Sequence, residues 1–302
     1  MVRPIAELLK QVLPVISIDA TDIANGVSFP FTRRTFDLLC SDLTKFSVAR
    51  AVAASNGFPV LFSPITLNSY RPDCHGQRPP DTPSASWATD TGLSRRAQDA
   101  QIANRYLDFD RTKCVHLMDG GTADNLALRA LISAFIGLNK NIGAVHRVAL
   151  TTRRVLVISI DGEAATDPTP GRQRIVTGPG QVFSAVSGSQ IDAYNFETLV
   201  LAQDQVKAIV ENLKRDRCAQ APIIDGHACG DVRGNLVHLS LSDVSDPAAR
   251  ACLQAIPTGL TIPTQDVDTL VAYGENLVRD NATIHATISG LDDVAPPSAI
   301  GQ

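Results

Sequence analysis

Two periods of apolar residues alternate along this chain. Period two marks Pro14–Ile23 (PVISIDATDI) and the returning VSFPF at residues 27–31, with Asn25-Gly26 as a hairpin turn between them. Pro30 has no amide hydrogen to give a neighbour, so the second strand is expected at an edge. In Lys113–Leu131 (KCVHLMDGGTADNLALRAL), Val115 and Leu117 face one side and His116 and Met118 the other, which predicts a half-buried strand ending at Asp119. A helical period follows over Leu126–Leu138, with Leu128, Leu131, Ile132, Phe135 and Ile136 on one face and Thr122 or Asp124 placed to cap it.

Farther along, RVLVISID (Arg154–Asp161) is an apolar, β-branched run of the kind buried on both faces of a parallel sheet. Helical spacing predicts Val48–Ser55, capped by Ser47 and stopped by Gly57 and Pro59, then Leu93–Leu107, Ile191–Arg215 and Pro263–Arg279. A strand is expected around Leu236–Leu241, and Asp246-Pro247 reads as a helix start. Asn68–Asp90, rich in Pro, Asp, Ser and Gly, is a loop, either a lid over a site or an idle insertion. Helices alternating with buried strands predict an α/β sandwich.

With 302 residues and 44% hydrophobic content, the chain can bury one or two cores. Its net charge of -4 and scattered arginine pairs give no case for nucleic acid. No apolar run is long enough for a membrane span, and Glu7 and Lys10 interrupt what a signal peptide would need. Cys218 and Cys229 bracket a polar loop and can pair in an oxidising compartment, while the other cysteines are expected as buried thiols. Cys218, Asp225, His227, Cys229 and Asp231 are metal-ligand types, but their spacing fits no standard site, so neither a metal nor a cofactor is expected.

The candidate chemistry lies at Asp119-Gly120-Gly121. A strand, a carboxylate, two glycines and a helix hold one acid at the mouth of a sheet, although the tripeptide alone is an ordinary turn. Asp19 and Asp22 read as turn and surface carboxylates, and His116 is too poorly placed along the strand to anchor a triad with Asp119.

Three stretches, IDATDIANGVSFPF, then FDLLCSDL with SVARAVAASNGFPVLFSPITL, then HLMDGGTADNLALR, together resemble the patatin-like phospholipase (PNPLA) family of lipid acyl hydrolases. The resemblance covers Ile18 to Leu131 and is looser at IPTGLTIPTQDVDTLVAYGENLV. It implies an αβα sandwich with a mixed central sheet, and a Ser-Asp dyad acting on a lipid or membrane-surface ester. Asp119 would be the general base, Gly120 and Gly121 would keep its approach clear, and Asp124 and Asn125 would support its loop. The family's G-x-S-x-G nucleophile elbow and its Gly-rich oxyanion loop are missing. The nearest serine stretch, Ala185–Ser189, lacks the leading glycine and is expected in a loop.

The resemblance therefore implies a C-terminal portion of such a protein, with its N-terminal strands missing. Residues 1–138 would belong to the patatin-like domain, 139–290 would be an α/β region packing on the same sheet, and 291–302 a frayed tail. Alone, this chain is expected to be inactive and to self-associate through an exposed sheet edge. The alternative is a non-catalytic lipid- or protein-binding remnant of the family.

Overall fold

The computed structural model describes residues 16–58, 62–80, 82–89, 94–133, 142–162, 169–172, 174, 178–257, 259 and 261–289. The expected frayed tail lies outside them. The protein is mixed α/β and divides into two compact units, Met1–Ala127 and Leu128–Gln302. Among the described residues no helix is long and apolar enough to cross a membrane.

In the first unit, β1 (Asp19–Asp22) and β2 (Val27–Pro30) form the antiparallel hairpin, and Gly26 takes the left-handed conformation that its turn requires, at φ +64°. β1 also pairs antiparallel with β4 (Cys114–Met118), which pairs with β3 (Ile65–Asn68), giving the order β2-β1-β4-β3. Pro30 thus lies on an outer strand, where it breaks no ladder.

Phe29, Phe31, Phe36 and Tyr106 are buried together, with ring centroids 5.6 to 6.2 Å apart, and Phe46 packs at their margin. Burying each such ring contributes about 1.5–3 kcal/mol. α1 (Arg33–Leu38) is capped by Thr32 and α2 (Val48–Ser55) by Ser47, whose hydroxyl accepts from Arg50 N–H. α2 buries only Ala51 and Ala54, small enough for it to lie close to β1 and β4. α3 (Arg95–Leu107) brings Tyr106 to the core.

β1 is buried at all four positions, which corrects the surface reading of its carboxylates: Asp19 is 7% exposed and Asp22 is 0%. Asp22 is satisfied there. It accepts from the N–H groups of Ala24 and Asn25, from Asn25 Nδ2 at 2.7 Å and from the Tyr106 hydroxyl at 2.9 Å. Burial first, and then the Asp22 charge, holds the Tyr106 phenol well above its ordinary pKa, so it remains a donor.

A disulfide joins Cys74 to Cys40, and Tyr70 N–H donates to Leu39 O, so the first part of the 68–90 loop is strapped to the core. The thiols of Cys114 and Cys252 are free, one half-buried and the other exposed. The expectation of buried thiols at Cys40, Cys74 and Cys252 is therefore corrected.

The two units meet in sequence at Ala127, where φ is +52° and the helical path breaks before it resumes at Leu128. The division thus falls inside the 1–138 span. In the second unit, α5 (Ile142–Thr151) leads to β5 (Arg154–Asp161), which pairs in parallel with β8 (Arg233–Ser240) as a two-stranded sheet. α6 (Pro179–Gln220) buries Val206, Ile209, Val210 and Leu213, and a Cβ at Gly234 of β8 would strike Val210.

Ala185–Ser189, expected in a loop, lies inside α6, because the single Gly188 costs a long helix only about 1 kcal/mol. β5 is not buried on both faces, since Ile160 is 73% exposed. Arg217, 1% exposed, donates from Nη1 to the carbonyls of Ala149 and Leu150 and so caps α5, and the neighbouring Cys218 is joined to Cys229.

Peptide mapping without reduction is expected to recover Cys40 linked to Cys74 and Cys218 linked to Cys229. Cys40→Ser opens the longer loop and should cost about 4 kcal/mol, against about 3 kcal/mol for Cys218→Ser, read as separate losses in denaturant melts.

Candidate functional site

Asp119 follows the last residue of β4 and is half-buried. Its backbone is held from two sides. The Thr21 hydroxyl of β1 donates to Asp119 O at 2.7 Å, and Asp119 N–H and Gly120 N–H donate to Gly57 O and Ser55 O, both at 3.0 Å, where α2 ends. The hairpin, the end of α2 and the end of β4 therefore converge on one turn. A short helix, α4 (Gly121–Asp124), springs from that turn, with Asp124 N–H donating to Gly120 O. It begins at Gly120 with no side-chain cap.

Both glycines are required by space. A Cβ at Gly120 would sit 2.6 Å from Asp19 O, and one at Gly121 would sit 2.8 Å from Asn125 Oδ1 and 3.1 Å from Asp119 Oδ1. The first obstacle is main chain and cannot swing away. Gly121 N–H donates to Asp119 Oδ1 at 2.7 Å and fixes the carboxylate's orientation. Asp119 Oδ2 bonds to no described residue, and no described serine hydroxyl reaches this carboxylate. A carboxylate so held can accept a hydroxyl proton brought to Oδ2.

Beneath the turn, the Asp19 carboxyl is pushed up to about 6, mainly by burial and then by the charge of buried Asp124, while the Ser17 hydroxyl works weakly the other way. Asp19 Oδ1 has no partner.

The other candidates do not join this site. His116 Nδ1 lies 3.0 Å from Thr66 Oγ1 on the neighbouring strand and bonds there, not to Asp119. Of the five metal-ligand types in the polar loop, Cys218 and Cys229 are bonded to each other, and Asp231 pairs with Arg153 at 2.8 Å and Arg154 at 3.2 Å. Burial alone would raise the Asp231 carboxyl, but those hydrogen bonds outweigh it and hold it below the usual carboxylate range.

Sequence reasoning found Asp119 and its glycines but missed Thr21 and the carbonyls of Ser55 and Gly57. Gly57 was legible only as a helix stop. Comparison with known proteins yields no matching family model, no matching curated protein and no matching solved structure.

Gly120→Ala must displace the β1 backbone and should cost about 1–3 kcal/mol in urea unfolding. Asp19 gives a pH signature. Its carboxyl rises from 3.8 to about 6 on folding, so the folded state holds the proton more tightly. Stability should fall as pH climbs from about 4 to about 6 and level off above that, a total loss of about 3 kcal/mol. Asp19→Asn should flatten this dependence and make the protein more stable than wild type at pH 8, measured by urea melts across the range.

Proposed function

We propose that this chain carries the aspartate half of a patatin-like Ser-Asp dyad and belongs to a hydrolase of carboxylic esters in lipids. One observation carries the reading: the three stretches of the resemblance, far apart in sequence, meet at Asp119-Gly120 through the Thr21 hydroxyl and two backbone hydrogen bonds. A bare Asp-Gly-Gly turn would need none of them. In this reading Asp119 takes the proton of a serine hydroxyl as that oxygen attacks the ester carbonyl, and returns it to the leaving alcohol. The glycines at 120 and 121 let β1 and Asn125 pack closely against the turn that holds Asp119. The αβα sandwich belongs to this proposal as well: the four-stranded antiparallel sheet and the two-stranded parallel sheet each pack against helices of their own unit.

The serine and the oxyanion donors would come from a G-x-S-x-G segment and a Gly-rich loop outside these 302 residues. One oxyanion donor alone is worth about 2.7–4 kcal/mol of barrier, so this chain by itself should be inert. The alternative reading is a non-catalytic lipid- or protein-binding remnant of the family.

Translating the DNA in frame upstream of the Met1 codon separates the two. A G-x-S-x-G there supports the hydrolase, and an immediate in-frame stop supports the remnant. A protein spanning both segments should hydrolyse p-nitrophenyl butyrate, and Asp119→Asn should lower kcat by about 10³–10⁴. Turnover that survives this substitution would sink the dyad.

A further inference from the structure

The strapped loop of the first unit holds a second unusual group, about 20 Å from Asp119, because it joins the sheet at the opposite end of β4 through Ser69 N–H to Lys113 O. Arg71 is only 6% exposed. Its Nη2 donates to Gln77 O at 2.7 Å, while Nε and Nη1 are buried with no hydrogen-bond partner. The Ser69 hydroxyl, in a residue 7% exposed, and the Thr82 hydroxyl are buried and unpartnered too.

A second guanidinium, that of Arg78, is close enough for its charge, after burial, to disfavour the charged form of Arg71. Among the described residues neither arginine has an ion-pair partner, and the nearby Asp73 is exposed and bonds to neither. A buried guanidinium with two unpaired N–H groups and a second cation near it is unfavourable.

The segment is also built to keep these groups in place. The Cys40–Cys74 disulfide anchors it, and His75 and Gly76 reverse the chain at positive φ. Arg71 reaches forward to Gln77, next to Arg78, and Arg78 Nη2 reaches on to Pro83 O and Asn104 Oδ1. Ser69, Arg71, Arg78 and Thr82 are thus strapped into one loop. The unpartnered groups at Ser69, Arg71 and Thr82 can all donate. A guanidinium fork matches two oxygens of an anion, and the hydroxyls call for more than the two that a carboxylate offers.

We infer that the loop from Ser69 to Arg78 forms a binding site for a phosphate-type oxyanion, held by the Arg71 and Arg78 guanidinium groups with the Ser69 hydroxyl. This does not depend on the role of Asp119. The phosphate is either free or the headgroup of a lipid, and the same chemistry serves both.

The test is calorimetric titration of the 302-residue chain with inorganic phosphate, at constant ionic strength and with acetate as control. Phosphate should bind and acetate should not. Arg78→Gln, at an exposed position, should weaken phosphate at least tenfold, and Arg71→Gln should abolish it. If Arg71→Gln fails to fold, the Arg78→Gln result stands by itself. Sedimentation with phosphatidylcholine vesicles, with and without phosphatidic acid, separates the sources. Binding only to phosphatidic acid, displaced by inorganic phosphate, assigns a headgroup; phosphate uptake without vesicle binding assigns the free anion. No binding in either assay, equal response to acetate, or unchanged affinity in Arg78→Gln overturns the site.

Discussion

Two backbones touch where Gly120 passes the carbonyl of Asp19, and the rest of the first unit is arranged around that contact. No side chain fits between them. The close approach lets Thr21 reach Asp119 O and lets the end of α2 receive the amides of Asp119 and Gly120. It also makes β1 an inner strand, with its alternate residues pressed into two different environments. Ala20 and Asp22 share the face toward the apolar core and Tyr106, Asp19 lies on the opposite face, and both carboxyl groups are buried. Their solutions differ. Asp22 is satisfied by four donors, whereas Asp19, with one distant hydroxyl and a buried acid for company, holds its proton more tightly.

The parts of this architecture legible in the sequence were those decided within a few residues. The Asn25-Gly26 turn, Pro30 at an edge, Ser47 as a cap and Asp246 as a cap before Pro247 all rest on contacts at short separation. What escaped depends on partners far along the chain. The donor that helps to bury Asp22 is Tyr106, and the disulfide partner of Cys40 is Cys74 across a polar loop. The break at Ala127 carries neither glycine nor proline, so no local signal marked it. The run RVLVISID announced a strand but not its surroundings, because exposure of Ile160 is a property of what packs nearby.

The candidate site shows the same division. A carboxylate followed by two glycines is visible as letters. The groups that hold it are mostly main-chain carbonyls, which every residue possesses and no sequence advertises. Thr21 is the exception, a hydroxyl in a strand, and its purpose became clear only once β4 was seen beside it. Arg71 was hidden for a related reason, since burial of an arginine within a Pro- and Asp-rich loop runs against the usual expectation for both.

The order of the cysteines has a consequence for how the chain is made. Counted from the N-terminus, the bonds join the first to the second and the fourth to the fifth, leaving the third and sixth free. Of these six, Cys40 and Cys74 leave the ribosome first, so in the presence of an oxidant their bond can close before the other four appear. Cys114 emerges next and is paired into β4, beside Asn68, before Cys218 arrives. Synthesis from one end thus sorts the thiols by time of appearance, whereas a fully unfolded, reduced chain placed in oxidant would meet all six at once.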